Sequence, residues 1–531
     1  MFTDKAALTL TLTVNHQAHT VAGGNIKFCQ LHLDKQGFNG EVHFWLSDES
    51  GSDPLIGDFT SEQLIDLTLG LTQDSTNPDK DTLTLRALVA QRSVYEQTFM
   101  DVKGNKVLYR KYQCRFFDAA QFLWQQHFPC ELYVGKSMKE VISAQTTDAL
   151  NIQFGSRVLE QVQPLICLSM GATGICFYQF VLNYLKQQGV FWRYDYKKNS
   201  YTITDDKVRP AQNQDLLPAD KPRFKLHYPK VDIQSQNLLN ANSAQAKIIP
   251  LSQNPLVQGI KNDRLMRSPF TDMENTQKQL QLSHSTPQMA KLQFTLRAIP
   301  VNQLYPGVGL ELKRPGWSKI SLAYQQPYQG VKTGIKLTAT RQSAPDDLNM
   351  PTTQYQCEYQ GIFEHQQDNS SDGDAPLPES CFVEGIILSE PGADEDKSYQ
   401  YAQDESTKQN QYRVHIPLWD QEIKLLFRPD FLPPHFYFPL YKGCRVLLEI
   451  SLFEARVCRV LDWGQSVFME QSTQGNHLLL GNNDKDQTAI RHEYQDDKPV
   501  FSIKRTKDKD TELMQWQDGK ITIQTQEADG D

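Results

Sequence analysis

The chain has 531 residues, a length that predicts about three or four domains. Its hydrophobic content of 39% is typical of a globular protein, and its net charge of −9 argues against a general nucleic-acid-binding protein, which is usually basic. The nine cysteines are odd in number, and no two of them have the CxxC spacing of a metal or redox site. We therefore expect reduced core thiols and synthesis in a reducing compartment.

The N-terminus has no basic region followed by an apolar core, so we predict no signal peptide. Residues 161–185 carry no charged side chain, over a length that could span a bilayer. Polar residues lie within this segment, and Gly171 and Gly174 interrupt it. A strand over 165–168, a glycine loop and a helix from about Ile175 explain the segment better than a membrane span.

The first block of the chain alternates apolar and polar residues. Leu8, Leu10, Leu12 and Val14 share one face of a predicted strand, and similar runs continue to residue 116. This pattern predicts an antiparallel barrel or sandwich. We assign residues 1–205 to a first barrel-like hub domain with a helical insertion.

The insertion is the small α/β part of the predicted fold. A helix is predicted over 118–124, and Ser137 with Glu140 forms a candidate capping box before a second helix. A third helix begins near Thr173 and ends at Gly189. Its apolar residues fall at helical spacing: Ile175, Tyr178, Val181, Leu182 and Leu185.

A second strand-rich block, over 291–364, indicates a second barrel-like hub domain within residues 206–365. Residues 366–380, rich in Asp, Ser, Gly and Pro, form a predicted linker. Five short strands within 381–470 suit a small OB-fold barrel, with a long acidic loop over 389–411. Its last part, 435–464, contains a strand, a Lys442-Gly443 turn, a long strand and a return strand.

The final segment, 471–531, is polar and alternating, with strands separated by charged turns. It has too few apolar residues to make a core of its own, which indicates assembly with copies of itself. The expected fold is therefore mainly β with some α, ending in a short C-terminal trimeric β-prism or β-helix.

Three places in this order resemble the VgrG family, the trimeric spike proteins of type VI secretion systems and related contractile phage tails. They are 109–142, with Leu123-Trp124 and Lys136-Ser137; 180–203, with Gly189 and Trp192; and 438–461, with Gly443 and 446–450. Leu304-Tyr305-Pro306-Gly307 and Tyr355-Gln356-Cys357 are similar to family segments in between. Each motif is weak alone, and their common order carries the resemblance.

The resemblance implies a homotrimer that forms a pseudo-sixfold base on a hexameric, Hcp-like tube ring, with an OB domain leading to a needle. It also implies baseplate wedge proteins around the base and a PAAR-like tip protein or effector above. Such a protein is cytoplasmic when assembled and is injected on firing. We expect no enzymatic activity, cofactor, catalytic residue, nucleic-acid partner or stable membrane insertion.

The sequence contains weaker indications of nucleotide, metal and nucleic-acid binding. Gly135-Lys136-Ser137 mimics the end of a phosphate-binding loop, but Cys130 stands where that loop needs glycine. His477 and His492 could line a trimer axis and hold a metal, although solvated strand histidines are the favoured interpretation, and we assign no metal site. Aromatic residues 435–438 and Trp419 could stack on nucleic acid, but the neighbouring acidic loop favours packing.

Two rival functions remain open at this point: a tail-associated cell-wall hydrolase and a cell-surface binding module. Paired acidic residues for glycoside cleavage occur throughout the sequence. The segment between Trp463 and the tail is, however, too short for an inserted hydrolase domain. The mass of the chain in solution and its action on peptidoglycan distinguish these alternatives.

Overall fold

The computed structural model describes most of the chain. The described residues are 6–48, 53–72, 82–100, 103–170, 174–205, 210, 212–216, 221–229, 231, 233–241, 246–252, 258–266, 275, 278, 290–300, 302, 304–366, 379–388, 402–403, 410–426, 440, 442–462, 476–483 and 485–527. The predicted linker, the acidic loop, and residues 435–439 with Trp463 lie wholly or largely outside this set.

Strands dominate the structure, so the predicted fold class, mainly β with some α, is confirmed. The strands are β1 Ala7–Val14, β2 Gln17–Val21, β3 Ile26–Asp34, β4 Gly37–Asp48, β5 Asp66–Thr72, β6 Leu83–Met100, β7 Lys106–Phe117, β8 Cys130–Ser137, β9 Ile152–Gly155, β10 Val162–Ser169, β11 Phe191–Asp195, β12 Ser200–Thr204, β13 Asn213–Gln214, β14 Arg223–His227, β15 Ser235–Asn240, β16 Lys247–Ser252, β17 Lys261–Met266, β18 Lys291–Leu296, β19 Gly309–Leu310, β20 Tyr328–Ala339, β21 Tyr355–His365, β22 Cys381–Leu388, β23 Ala402–Gln403, β24 Asn410–Ile416, β25 Gln421–Leu426, β26 Arg445–Ile450, β27 Ala455–Asp462, β28 Asn476–Asn483, β29 Asp486–Gln495, β30 Lys498–Lys507, β31 Asp510–Gln517 and β32 Lys520–Gln526. The helices are α1 Ile56–Thr60, α2 Ala119–Trp124, α3 Met138–Ala144 and α4 Phe177–Gln187.

Two compact units make up the chain. Unit 1 comprises residues 1–128, 139–161 and 175–377, and unit 2 comprises 129–138, 162–174 and 378–531. The domain boundaries drawn from the sequence stay a prediction.

A 13-stranded sheet is the centre of unit 1, with the order β14-β18-β21-β20-β3-β4-β7-β6-β5-β1-β2 and with β13 and β19 beside it. β20 pairs antiparallel with β3, from Lys332 opposite Asp34 to Thr338 opposite Phe28. Strands from both predicted hub domains therefore share one hydrogen-bonded sheet. Within the described residues this sheet is an open path of strands and not a closed barrel.

The alternation of apolar and polar residues along the strands shows which side chains form the core of unit 1. Leu8, Leu10, Leu12 and Val14 are all buried, as their shared face predicts. Both α2 and α4 form close to their predicted positions, and Gly189 adopts a positive φ of 70° after α4. In the described part of the chain, no helix is long and apolar enough to cross a membrane.

Asp118 is a buried carboxylate that joins three parts of unit 1. It accepts hydrogen bonds from the amides of Phe38 and Gln121, both at 3.0 Å, and from the Tyr201 hydroxyl at 2.6 Å. Burial raises the pKa of Asp118 to about 6, against the lowering effect of these donors. The residue caps α2 and fixes the start of β4 at the same time.

A second polar cluster in unit 1 surrounds Arg110. Its guanidinium contacts Asp48 at 2.7 Å, Asp53 at 3.2 Å and Glu96 at 2.8 Å, and its side chain is only 12% exposed. The Tyr112 hydroxyl donates to the same Asp53 carboxylate at 2.5 Å. The Asp53 side chain is fully buried. The positive charge of Arg110 offsets the cost of burying this carboxylate.

The core of unit 2 is built on a six-stranded sheet. β22, β24, β25, β26 and β27 form at their predicted places, joined by β23 in the order β23-β24-β22-β26-β27 with β25 on β24. Gly443, with a φ of 85°, makes the predicted turn before β26. Within the described residues this sheet does not close into a barrel.

β8 and β10, from the first half of the sequence, pair with each other and complete this core. Leu132, Leu165 and Cys167 pack in one cluster with Leu448 and Val414. Trp419 lies against the same cluster and donates from Nε1 to the Cys130 carbonyl at 3.0 Å. Packing, the favoured interpretation of Trp419, is thus confirmed for this aromatic residue.

Candidate association surface of the C-terminal sheet

The last part of unit 2 is a five-stranded antiparallel meander, β28-β29-β30-β31-β32, in which each strand pairs with the next along the chain. The β29–β30 and β31–β32 hairpins are tight, because the last residue pair of each leaves only two residues between the strands. Asp496 and Asp497 have φ of 49° and 61°, and Asp518 and Gly519 have φ of 50° and 73°. Positive φ at both central residues is the requirement of a type I′ turn, which matches the twist of a hairpin.

These turns fix a register that aligns one apolar residue from every strand. Leu478 lies opposite Ile490, which lies opposite Ile503, and the row continues with Met514 and Ile523. Residues in direct register point to the same side of a sheet. The result is a continuous apolar row perpendicular to the strands, about 20 Å long at the usual strand spacing.

A second, shorter row widens this surface. Phe501 lies opposite Trp516, with ring centroids 5.2 Å apart, and Trp516 lies opposite Ile521. We name the two rows together the apolar face. Its members are Leu478, Ile490, Phe501, Ile503, Met514, Trp516, Ile521 and Ile523.

The apolar face is incompletely covered in the single chain. Leu478 is 38% exposed and Met514 37%, and the exposure rises to 64% at Ile521 and 72% at Ile523. Every residue of β32 is exposed, and within the described residues β32 pairs only with β31. An edge strand with a bare apolar side favours association with another chain.

His477 and His492, the two histidines of the C-terminal sheet, point to opposite faces of it. His477 lies opposite Arg491, whereas His492 lies opposite Asn476 in the next pair of the register. Adjacent register positions point to opposite faces of a sheet, so only His492 shares the side of the apolar face. In the part of the chain that the structure describes, no three His, Cys, Asp or Glu side chains group as a metal site.

The segment that mimics a phosphate-binding loop is extended backbone. Lys136 and Ser137 pair with Gln163 and Val162 of β10, and Ser137 is buried directly before α3. A phosphate cradle needs a loop of converging amides, and here the amides belong to a paired strand. The structure therefore places Lys136 in a strand-to-helix junction.

No protein-family model matches the sequence, and a comparison with curated proteins gives no significant match. Solved structures do match. A chain of the lidless PdpA–VgrG complex aligns with a TM-score of 0.71 and 14% identity, over 98% of this chain and 99% of that one. A chain of the lidded PdpA–VgrG complex from Francisella aligns with a TM-score of 0.73 and 15% identity, over 98% and 80%.

Identity at this level shows the fold alone. The alignments span nearly the whole chain, so they cover both units. The prediction of a VgrG-like hub fold, drawn from the order of the sequence motifs, is therefore confirmed at the level of the fold, which this chain shares with a component of PdpA–VgrG complexes.

Proposed function

We propose that this protein is a structural hub and spike of a contractile injection machine and works as a homotrimer. The observation that carries the proposal is the apolar face of the C-terminal sheet. Its main row runs across all five strands, so it lies along the direction in which the meander extends. Three copies that turn these rows inward would make a continuous apolar core along the axis of a needle.

Burial of the apolar face in such a trimer is energetically favourable. Removing a large apolar side chain from water stabilises by about 1.5–3 kcal/mol, and each copy would contribute several that are now exposed. On the opposite face, Ala489, Val500 and Ser502 are already buried in the single chain. A needle built this way has a dry core and no longer exposes the apolar face to water, which suits a rigid structural element.

The fold shared with PdpA–VgrG complexes supports partners of the same machine. We propose a hexameric, Hcp-like tube ring and baseplate wedge proteins for the hub, and a PAAR-like tip protein or effector for the end of the needle. We also propose assembly in the cytoplasm, injection on firing and no enzymatic activity. Purified peptidoglycan incubated with the chain should remain intact.

A pair of adjacent substitutions tests the trimer. Ile523 and Thr522 both lie on exposed β32, on the apolar face and on the opposite face respectively. Since both are exposed in the single chain, Ile523→Asp and Thr522→Asp should be equally harmless to the fold of a monomer. In a trimer, only Ile523→Asp buries a charge.

The readout is the mass in solution from light scattering after size exclusion, over a range of concentrations. We expect a trimer for the wild type and for Thr522→Asp, and a strong shift toward monomer for Ile523→Asp. A wild-type monomer would overturn the proposal, as would equal behaviour of the two variants.

A further inference from the structure

Three cysteines from distant parts of the sequence meet in unit 2. The Sγ atoms of Cys167 on β10 and Cys381 at the start of β22 are 3.7 Å apart. Cys130 on β8 lies opposite Ser169 of β10, so it is on the same side of that strand pair as Cys167 and diagonal to it. The nine cysteines are all free thiols in this structure.

The three thiols differ in exposure. Cys167 is 1% exposed and belongs to the core cluster of unit 2, while Cys381 is half-buried at the margin of that cluster and Cys130 is exposed. An oxidant from solution therefore reaches Cys381 more easily than Cys167. Cys167 in turn has Cys381 as a neighbour in sulfur contact.

We propose that Cys167 and Cys381 form an intramolecular disulfide when the chain meets a low-molecular-weight disulfide. The sulfur atoms have only to close from 3.7 Å to the bond length of about 2.05 Å. The bond would tie β22 of the six-stranded sheet to β10, across a sequence separation of 214 residues. Nearby, Ser169 Oγ already donates to the Glu379 carbonyl at 2.8 Å, which holds the same two segments together.

The reaction proceeds by two exchanges. The thiolate of Cys381 attacks one sulfur of the small disulfide, forms a mixed disulfide and releases one small thiolate. Cys167 then loses its proton to solvent and attacks the Cys381 sulfur, and the second small thiolate leaves. Two protein thiols are oxidised, and one small disulfide is reduced to two thiols.

The electrostatics of the pair suit this order. A hydrogen bond from the Cys167 thiol lowers the pKa of Cys381 to about 7, so a large fraction of Cys381 is thiolate near neutral pH. The hydrogen bond to Cys381 and burial raise the pKa of Cys167. Cys381 is thus the attacking group of the first exchange, and Cys167 is the resolving group.

The bond is a covalent link inside unit 2 of one chain, so its formation does not require the proposed trimer. In the proposed function, the disulfide would form only after the chain leaves a reducing compartment, and this part of the inference rests on that function. Closing a long loop restricts the unfolded chain strongly. The oxidised protein should therefore unfold at a temperature several degrees higher than the reduced protein.

The test treats the full-length protein with oxidised glutathione and maps the linked peptides by mass spectrometry. We expect a Cys167–Cys381 peptide and a thiol count two below the nine of the reduced chain. The peptide should persist in Cys130→Ser and be lost in Cys381→Ser. The rate of the first exchange should reach half of its plateau near pH 7, below the pH typical of an ordinary cysteine.

Two results would overturn the proposal. One is a Cys130–Cys381 link in place of the expected peptide. The other is a stable glutathione adduct on Cys381 with Cys167 still free. Either result can occur whether the protein is a trimer or a monomer, so this test is separate from that of the proposed function.

Discussion

Gly385 on β22 faces Leu448 on β26 so closely that a methyl group on Gly385 would lie 2.9 Å from Leu448 Cδ1 and 2.6 Å from Val414 Cγ1. Val414 lies on β24 and Leu448 on β26, the two strands that flank β22 in its sheet. The absence of a side chain at residue 385 is thus part of the packing of Leu448.

Gly385→Ala should overpack this core and lower the free energy of unfolding of unit 2 by about 1–3 kcal/mol. A suitable control is Gly334→Ala in β20, where the nearest atom to the added methyl group is Gln360 Cβ at 4.0 Å. Thermal unfolding followed by circular dichroism measures both. A neutral Gly385→Ala would show that the backbone of β22 moves freely.

Leu448 itself is fully buried. We expect Leu448→Ala to cost about 2–5 kcal/mol, and Leu448→Asp to abolish the folding of unit 2, because it places an unpaired charge in an apolar core. Limited proteolysis would detect the loss as rapid cleavage after residue 378. A folded trimer of Leu448→Asp would mean that the core of this unit is placed incorrectly.

Asp118 predicts a pH dependence of the stability of unit 1. Its pKa in the folded protein is about 6, above the ordinary value of 3.8. Between about pH 4 and 6 the folded chain therefore binds more protons than the unfolded chain, and the contribution of Asp118 to the free energy of unfolding falls as the pH rises, by on the order of 3 kcal/mol.

The comparison of wild type with Asp118→Asn isolates this effect, since other titrating groups cancel in the difference. The variant should be less stable overall, because an amide nitrogen would meet donors, but its stability should lack this downward slope. Urea unfolding at several pH values supplies the measurement. Parallel slopes for the two proteins would contradict the raised pKa.

Arg110 neutralises a nearly buried group of carboxylates. Arg110→Ala should lower the free energy of unfolding of unit 1 by about 3–5 kcal/mol, because Asp53 would keep its burial and lose its ion pair. Lys332→Ala is the matched control, since its pair with Asp34 also lies in unit 1 and its two side chains are 61% and 40% exposed, and it should change stability by less than about 1 kcal/mol. Equal losses in the two variants would refute a special role for Arg110.

Local patterns predicted much of this structure. Alternation located β1 and the strands of unit 2, and helical spacing located α4, because burial of one face sets both periods. The apolar face was harder to foresee. Its row takes residues 478, 490, 503, 514 and 523, whose unequal spacing follows from turn positions and strand lengths.

Contacts between distant segments could not be predicted from these patterns. Nothing in the sequence around Cys167 or Cys381 indicates that they meet, and their separation of 214 residues is far outside any motif. The pairing of β8 with β10 inside unit 2 could not be predicted either, because both strands follow the ordinary alternation of the hub segment. The two tail histidines look equivalent by sequence, and only the register shows that they lie on opposite faces.

The pairing of β3 with β20 has a consequence during synthesis. β3 ends at Asp34, and its partner residues begin at Lys332, so roughly 300 residues must be translated before that edge is covered. At about 5–20 residues per second the wait is on the order of tens of seconds. A nascent chain would therefore present an open strand edge on the ribosome for that time, and its yield should depend on chaperones that shield such edges until β20 arrives.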